Sequence, residues 1–289
     1  MRLVFLGTPS AAVPALEALV GAGHEVALVI TRPDRKRGRG SSLSPSPVKQ
    51  AALDLGLRVG HSMKELEGLD ADRGVVVAFG ALIPASVLAH TPMLNVHFSL
   101  LPRWRGAAPV ERAILAGDER TGVCVMSLEE SLDTGPLHAQ ASTDVDDKSA
   151  ADLLDELARL GAALLVEVLG SRDLLEHPVL QVGEPTYAEK LTSDTFHLEP
   201  SKTAVLLART VRLGRAFFFV AGRRVRVLRG HVVASHAPAG TLTYEGGEVV
   251  LHSADGAYAL DEVQVEGSRA MGANAWWSGA RLSPTSSWS

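Results

Sequence analysis

Asn95, His97 and Asp133 are the side chains of this sequence whose types and spacing could do chemistry. Asn95 and His97 stand two positions apart at the end of a short apolar run. Since side chains alternate between the two faces of a strand, this amide and this imidazole point the same way. Asp133 lies on a separate turn bounded by Gly135, so its carboxylate can approach the imidazole from another direction. The three groups can bind a developing oxyanion and move a proton, which predicts a catalytic site.

The segment after this strand supports the prediction of a site. An isolated Asn-x-His at a strand end, or an isolated Asp-Thr-Gly turn, is usually structural. Residues 100–109, Leu-Leu-Pro-Arg-Trp-Arg-Gly-Ala-Ala-Pro, combine apolar, rigid and basic residues in a way that is unusual for a solvated loop. Loops on a rigid scaffold commonly carry binding residues, so we expect this segment to form the wall of a pocket.

Strand and helix patterns alternate along the first part of the chain. Apolar, β-branched runs predict strands at residues 2–6, 25–31, 74–78, 93–96 and 121–126. Helical spacing predicts helices at residues 14–20, 47–55, 85–90, 109–116 and 149–169. This alternation is typical of βαβ units in a largely parallel sheet, where ligands bind beyond the carboxyl ends of the strands. Gly7, Phe79, Gly80 and Asn95 fall at such ends.

The pattern changes after Gly170. Prolines interrupt a stretch with little periodicity, and short strand-like runs then follow at residues 217–220, 224–228, 248–252 and 257–265. The predicted fold is α/β, with a Rossmann-like, mostly parallel sheet domain followed by a small C-terminal β-barrel (OB-like) domain. We place the first domain at residues 1–185, a linker at 186–208 and the barrel at 209–289.

Composition excludes several classes of protein. The 289 residues carry a net charge of -5, so the chain as a whole does not attract nucleic acid, and any such contact depends on local charge. The single cysteine, Cys124, excludes an internal disulfide, and we expect a cytoplasmic protein. No apolar run approaches the roughly 20 residues of a membrane span. Motifs for dinucleotide, P-loop and metal binding are absent, so neither NAD nor a metal is expected.

The motifs resemble those of the folate-dependent formyltransferases, through Asn-x-His at a strand end and the Leu132-Asp-Thr-Gly135 turn. Within that superfamily the sequence is most similar to the methionyl-tRNA formyltransferases over about residues 1–210. Three further stretches carry this narrower resemblance: Gly7-Thr-Pro9 through Val13-Pro14, Arg37-Gly-Arg39-Gly with Ser44-Pro-Ser-Pro47-Val-Lys49, and Thr186-Tyr-Ala-Glu-Lys190-Leu.

The resemblance implies that the first domain transfers the formyl group of 10-formyltetrahydrofolate to the α-amine of methionyl initiator tRNA. Asn95 and His97 would stabilise the oxyanion, while Asp133 would orient His97 and assist proton movement. The family's folate-contacting segment matches Ser99, Leu100, Leu101 and Pro102. The segment that holds the pterin matches Phe79, Gly80, Leu82 and Ile83, although Leu82 and Ile83 are also compatible with an ordinary core.

Local charge indicates where tRNA would bind. The loop at residues 32–40 holds five basic residues and one acid. By the resemblance Arg37 and Arg39 bind the tRNA, and Arg39 matches the arginine that the family inserts at the acceptor end. A second basic strip has no acid between its members: Arg209, Arg212, Arg215, Arg223, Arg224, Arg226 and Arg229. We expect a monomer whose partners are tRNA and the folate.

Two alternatives remain open from the sequence. A formyltransferase acting on an amino-sugar nucleotide or another small amine would share Asn95, His97 and Asp133 but would have no use for the basic loop. A catalytically silent module that binds nucleic acid or folate would have no need for all three catalytic groups, which the sequence retains.

Overall fold

A computed structural model of the chain describes residues 1–36, 43–283 and 285–289. These residues form two units, one comprising residues 1–110, 120–144 and 153–189 and the other residues 111–119, 145–152 and 190–289. The α-helices, in chain order, are α1 Val13–Gly21, α2 Pro47–Asp54, α3 Ala85–Leu88, α4 Pro109–Ala116, α5 Ala150–Gly170, α6 Arg172–Glu176, α7 Ala204–Arg212 and α8 Ala273–Ala280. Short 3-10 helices lie at Ser10–Ala12, Met63–Leu66 and Asp194–Phe196.

The first unit contains eleven described strands. They are β1 Arg2–Gly7, β2 Glu25–Ile30, β3 Arg35–Lys36, β4 Leu43–Ser44, β5 Val59–Gly60, β6 Arg73–Val77, β7 Met93–His97, β8 Arg105–Gly106, β9 Arg120–Ser127, β10 Leu137–Asp144 and β11 Tyr187–Ala188. Seven of them form one sheet in the order β10-β9-β7-β6-β1-β2-β5. β5, β2, β1, β6 and β7 are parallel, whereas β9 and β10 are antiparallel to their neighbours. The prediction of a mostly parallel sheet is therefore confirmed.

The register of β7 positions the predicted catalytic residues. β7 lies between β9 and β6 in the sheet, with Asn95 opposite Val76 of β6 and opposite Met126 of β9. The helix α5 covers the other face of this strand, because a Cβ at Gly161 would lie 2.8 Å from Cγ1 of Val96. Since neighbouring side chains alternate, Asn95 and His97 emerge on the face that α5 leaves uncovered.

The second unit is an antiparallel barrel. Its strands are β12 Phe217–Val220, β13 Arg223–Val233, β14 Thr241–Glu245, β15 Glu248–His252, β16 Ala257–Val265, β17 Met271–Gly272 and β18 Thr285–Ser287. They follow the order β12-β13-β16-β15-β14-β18, with β17 on β16. Backbone hydrogen bonds between Phe219 and Ser289, 2.6 and 3.0 Å long, join the first strand to the end of the chain and nearly close the barrel. The predicted C-terminal β-barrel is confirmed.

The mainly aliphatic core of the barrel includes a cluster of aromatic rings. Phe218 directs its ring toward Trp276 and Trp288 in edge-to-face contacts, each with centroids 6.0 Å apart.

The interval predicted as a linker, residues 186–208, contains β11, the 3-10 helix Asp194–Phe196 and the first part of α7. None of the helices in the described ranges has the length and apolarity needed to cross a membrane.

His138 on β10 joins the sheet to α6. Its Nδ1 donates to the carbonyl of Leu174 at 2.8 Å, because a carbonyl oxygen can only accept, and its Nε2 lies 2.8 Å from the hydroxyl of Ser127. Burial lowers the pKa of His138 below the usual value, with a smaller contribution from Arg73 and an opposing one from the bond to Leu174. The neutral ring therefore satisfies both partners.

We expect His138 to make the protein less stable in mild acid. The lowered pKa means that its contribution is complete above about pH 6.5 and is lost as the pH falls through the folded-state value. Urea unfolding at about pH 7.5 and about pH 5.5 measures this difference. The free energy of unfolding of His138→Gln should depend less on pH than that of the wild type. The exposed control, His177→Gln, should show the same pH dependence as the wild type. Equal pH dependence in His138→Gln and the wild type would contradict the assignment.

Candidate functional site

A cleft opens at the carboxyl ends of β6 and β7. Its volume is about 800 Å³, within the range of about 300–1,000 Å³ that is usual for small-molecule sites. Phe79 and Ile83 contribute apolar walls, and Asn95, His97 and Asp133 contribute polar groups. This position agrees with the general rule that open α/β sheets bind ligands beyond the carboxyl ends of their strands.

His97 is held by a backbone carbonyl. Its Nε2 lies 2.9 Å from the carbonyl oxygen of Trp104, and the residue is 6% exposed. Because a carbonyl can only accept, Nε2 carries a hydrogen, and Nδ1 is the nitrogen that can gain or lose a proton. Trp104 has a φ of +63°, an uncommon conformation for a residue with a side chain. The ring therefore presents only Nδ1 for chemistry.

Asp133 lies on the Nδ1 side of the ring. Its Oδ2 is 3.7 Å from Nδ1 of His97, and the same oxygen accepts the backbone N–H of Gly106 at 2.8 Å. The carboxylate thus joins the turn of Asp133 to the loop after β7. The turn itself needs glycine, because a Cβ at Gly135 would lie 1.9 Å from the carbonyl oxygen of Ser127. The Asp-Thr-Gly pattern is explained by this close backbone approach.

Asn95 completes the polar side of the cleft. It is 9% exposed and precedes His97 by two positions on β7, so both side chains leave the same face of the sheet. The structure brings Asn95, His97 and Asp133 together in one cleft. An amide donor, an imidazole with one available nitrogen and a carboxylate can bind an oxyanion and accept a proton from a nucleophile.

The residues predicted to hold a pterin also line the cleft: Phe79, Gly80, Leu82 and Ile83. Leu82 is 82% exposed, so the alternative that it belongs to the core does not apply. The carbonyl of Gly80 accepts a hydrogen bond from Nη2 of Arg32 at 2.7 Å, which fixes the backbone there. An exposed aliphatic side chain at the rim of a cleft is suited to contact with a flat ring.

Ser99, Leu100, Leu101 and Pro102, by contrast, are not among the residues that line the cleft. The chain turns back after β7, since the amide of Ser99 donates to His97 and that of Arg103 donates to Leu100. Ser99 is fully buried, with its hydroxyl 2.6 Å from the Arg103 carbonyl, and Leu101 packs against Cys124, Met126 and Leu137. These residues form the base of the loop that carries Trp104 and Gly106.

Two predicted residues, Arg37 and Arg39, lie outside the described residues. Within residues 1–36, 43–283 and 285–289, no group of three or more His, Cys, Asp or Glu side chains has the arrangement of a metal site.

A segment that sequence reasoning did not assign to the site holds both of its loops. We call residues 179–188 the strap. Its first residue pairs with Leu137 through two backbone bonds of 2.7 and 2.8 Å, and Thr186 and Ala188 bond to residues 104–108. β11 of the strap runs parallel to β8. The only sequence signal was the Thr186-Tyr-Ala motif, and nothing pointed to Gln181.

Within the strap, Gln181 contacts both loops. Its Nε2 donates to the carbonyl oxygens of Asp133 and Gly135, each at 2.9 Å. Its Oε1 accepts from Nε and Nη2 of Arg105 at 3.1 and 2.6 Å. Gly106 adjoins this contact at a φ of +120°, and a Cβ there would lie 2.8 Å from the carbonyl oxygen of Ala188. The close approach between strap and loop requires glycine at this position.

Comparison with known families gives two matches. Residues 1–169, more than half of the chain, match the family described as "Formyl transferase". Residues 191–281 match "Formyl transferase, C-terminal domain". The two matches fall mainly on the parallel-sheet part and on the barrel, respectively.

A curated relative is similar along nearly the whole chain. The methionyl-tRNA formyltransferase of Rhizorhabdus wittichii is 45% identical over 290 residues, which cover 94% of this chain and 93% of that protein. Solved structures share the fold at low identity. HypX from Aquifex aeolicus, in complex with tetrahydrofolic acid, has a TM-score of 0.66 and 16% identity over 95% of this chain. This chain spans 46% of that longer chain.

A second solved structure is similar along most of both chains. The N-formyltransferase from Helicobacter canadensis, in complex with folinic acid and dTDP-3-aminofucose, has a TM-score of 0.67 and 15% identity over 90% of this chain and 98% of that one. At such identities the two solved structures establish the fold alone, whereas the curated relative and the family matches establish kinship.

The bond between His97 and Trp104 predicts one tautomer. We expect the neutral ring of His97 to carry its hydrogen on Nε2, because the Trp104 carbonyl accepts it. Long-range ¹H–¹⁵N NMR of the labelled protein should give a pyrrole-type shift for Nε2 and a pyridine-type shift for Nδ1. The signals are assigned to His97 by their loss in His97→Gln. In the matched control, His138→Gln, they should remain. A neutral ring with the hydrogen on Nδ1 would refute the arrangement.

Proposed function

The chain belongs to the methionyl-tRNA formyltransferase family of formyl transferases, and from this premise we propose how its residues work. The reaction moves the formyl group of 10-formyltetrahydrofolate to the α-amine of methionyl initiator tRNA. The observation that carries the proposal is the convergence of Asn95, His97 and Asp133 in a cleft large enough for a folate head group.

The chemistry requires charge stabilisation and proton transfer. Attack of the amine on the formyl carbon forms a new C–N bond and places negative charge on the formyl oxygen. The side-chain amide of Asn95 donates to this oxygen, and His97 donates to it once its ring has gained a proton on Nδ1. Asp133 accepts the proton that the amine releases, directly or through a water. The old C–N bond then breaks, and the departing folate nitrogen takes up a proton.

The position of Asp133 suits this role. Its Oδ2 is 3.7 Å from Nδ1 of His97, which is longer than a direct hydrogen bond and leaves the carboxylate close to the reacting atoms. The Gly106 amide holds the same oxygen in place at 2.8 Å. Asp133 and His97 are both largely buried, so an electrostatic interaction between them is less screened than that of a surface pair.

The folate would occupy the apolar part of the cleft. Phe79 and Ile83 offer flat and aliphatic surfaces, while the backbone around Gly80 offers polar groups to the edge of a pterin. Residues 1–185 form the catalytic domain in this proposal. Ser99 to Pro102 act indirectly, because they support the loop of Trp104 and do not line the cleft.

The tRNA would contact basic surfaces on the second unit as well as the basic loop. Two arginines of the basic strip are engaged within the unit, Arg209 with the carbonyls of Leu115 and Ala116, and Arg212 with that of Lys148. Others are available to a partner. Arg223, for example, is exposed at the start of β13.

Four residues of the second unit form what we call the aromatic–arginine cluster: His197, Phe217, Phe219 and Arg224. The guanidinium of Arg224 lies 3.7 Å from the ring centre of Phe217, and His197 stacks on the same ring at 5.1 Å. Phe219 is 37% exposed and meets both rings edge-on. Phe217 is buried and packs against Arg224 and His197, so the exposed ring of Phe219 is the surface that a base could stack on, while Arg224 supplies charge for phosphates. The cluster supports an RNA partner for this unit.

The alternative of an amino-sugar nucleotide as formyl acceptor is not favoured. The relative that formylates methionyl-tRNA is 45% identical over nearly the full length, whereas the sugar N-formyltransferase structure is 15% identical. The two kinds of enzyme share a fold, so the distinction depends on features outside the catalytic cleft. Basic and aromatic surfaces on the barrel have a clear use with tRNA and none with a small sugar nucleotide.

Loss of any catalytic group should reduce formyl transfer to methionyl-tRNA. Asn95→Ala, His97→Ala and Asp133→Asn should each lower kcat/KM by about 10²-fold or more, since each removes a donor or the proton acceptor. Transfer from 10-formyltetrahydrofolate to charged initiator tRNA is the assay. Asp144→Asn, a carboxylate on β10 that pairs with exposed Arg120, is the matched control and should retain activity. Near-normal turnover in His97→Ala or Asp133→Asn would remove the proposed mechanism.

Charge reversal in the basic loop should weaken tRNA use selectively. We expect Arg39→Glu to raise the KM for methionyl-tRNA about tenfold or more and to reduce the salt dependence of tRNA binding, because a phosphate contact is lost. Folate affinity should not change. Arg58→Glu, an exposed arginine elsewhere in the first unit, is the control. An unchanged tRNA KM in Arg39→Glu would reject the role assigned to this residue.

A further inference from the structure

Asp133 has an unusual backbone conformation that something must maintain. Its φ is +50°, in the left-handed region, which few residues with a side chain adopt, although Asp does so more readily than most. Such conformations persist only where the surroundings determine them, and they cluster at functional sites. Asp133 is also 8% exposed, so its main chain is packed among other residues. A contact to the carbonyl of Asp133 can therefore stabilise this conformation.

Gln181 supplies that contact. The two hydrogens of its side-chain amide point to the carbonyl oxygens of Asp133 and Gly135, each 2.9 Å away, on both sides of Thr134. A single amide group thus spans the turn and fixes its two carbonyls in the same direction. Relaxation of Asp133 to an ordinary conformation would rotate its carbonyl away from Gln181.

The other end of the same side chain holds the second loop. Oε1 of Gln181 accepts from Nε and Nη2 of Arg105, and the next residue, Gly106, donates its N–H to Oδ2 of Asp133. Gln181, Arg105, Gly106 and Asp133 are therefore connected in a ring of contacts that begins and ends at Gln181. One end of Gln181 acts on the main chain of Asp133, and the other acts on the loop that orients its carboxylate.

We propose that Gln181 is a positioning residue for formyl transfer. It holds the carboxylate of Asp133 beside Nδ1 of His97. The inference rests on the proposed function and on its assignment of a proton-accepting role to Asp133. Gln181 is not among the residues that line the cleft. Because a misplacement of about 1 Å can lower a rate by about 10²-fold, an indirect residue of this kind can govern turnover.

Contacts other than those of Gln181 hold the strap in place. Val179 pairs with Leu137, the Thr186 hydroxyl accepts the N–H of Trp104, and the Ala188 carbonyl accepts two backbone amides. The strap should therefore stay in place when Gln181 is altered. The proposal predicts a change in turnover with little change in stability, which a purely structural role would not produce.

Two substitutions separate the roles of Nε2 and Oε1 of Gln181. Gln181→Met has a similar length and removes both sets of hydrogen bonds. Gln181→Glu retains an acceptor for Arg105 but places a carboxylate against the carbonyls of Asp133 and Gly135. We expect both to lower kcat by about 10- to 10²-fold, with the KM values for folate and methionyl-tRNA and the urea midpoint close to those of the wild type. Gln50→Ala, an exposed glutamine on α2, is the matched control.

A double-mutant cycle tests whether Gln181 acts through Asp133. Residues that work as a unit give strongly non-additive losses, so Gln181→Met should lower kcat by no more than about twofold in the Asp133→Asn background. Additive losses would overturn the proposal. Full activity of Gln181→Glu would also overturn it, because the bonds to the turn would then be dispensable.

A structural readout keeps the inference separate from the proposed function. The Gly106 amide should exchange with solvent faster in Gln181→Met than in the wild type, because Asp133 Oδ2 no longer holds it firmly. If the wild type fails to formylate methionyl-tRNA, the proposed function fails. If the wild type is active, Asp133→Asn is impaired and Gln181→Met turns over normally with an unchanged Gly106 amide, only the role of Gln181 fails.

Discussion

The contact between the backbone amide of Gly106 and the carboxylate of Asp133 is the interaction on which the geometry of the cleft depends. It connects two loops that leave different strands and that share no side-chain pattern. Without it, the strand-borne His97 would have a fixed ring but no fixed acid beside it. The Trp104 carbonyl on one side and Asp133 on the other hold the imidazole between two groups of the protein. A preorganised arrangement of this kind avoids reorganisation during the reaction.

Local periodicity accounts for what the sequence predicted well. The strands at residues 2–6 and 93–96 were found within one residue of their predicted ends, and Asn95 and His97 share a face because a strand alternates. The placement of Asp133 beside His97 depends on how two loops close, which no local pattern encodes. Gln181 lies in a segment without periodicity, so nothing in the sequence indicated that its side chain returns to Arg105. The folate-matching Ser99 lies in the turn below the cleft for a similar reason.

Some elements of the second unit could not be predicted from local sequence patterns. β14, Thr241–Glu245, buries only Leu242 fully and carries little apolar signal, so it was not predicted. The helix α8 contains two tryptophans and a glycine, which are weak helix formers, and it is stabilised by burial of Trp276 in the barrel core. α7 has clear helical spacing, but it overlaps the interval assigned to the linker. Tertiary packing, more than propensity, determines β14 and α8, whereas the spacing of α7 is a local signal that the sequence analysis did not use.

The bond from His97 to residue 104 uses only the main chain of that residue. Replacing tryptophan by other amino acids leaves this acceptor where it is as long as the loop keeps its path, so alanine scanning would overlook it. The groups that support a reaction can therefore be invisible to side-chain mutagenesis when they belong to the peptide backbone. Replacing the amide that follows Trp104 with an ester would weaken the carbonyl as an acceptor without changing any side chain. It would also remove the Arg105 N–H that donates to the Thr186 carbonyl at 2.9 Å, so the measured loss would combine two backbone hydrogen bonds.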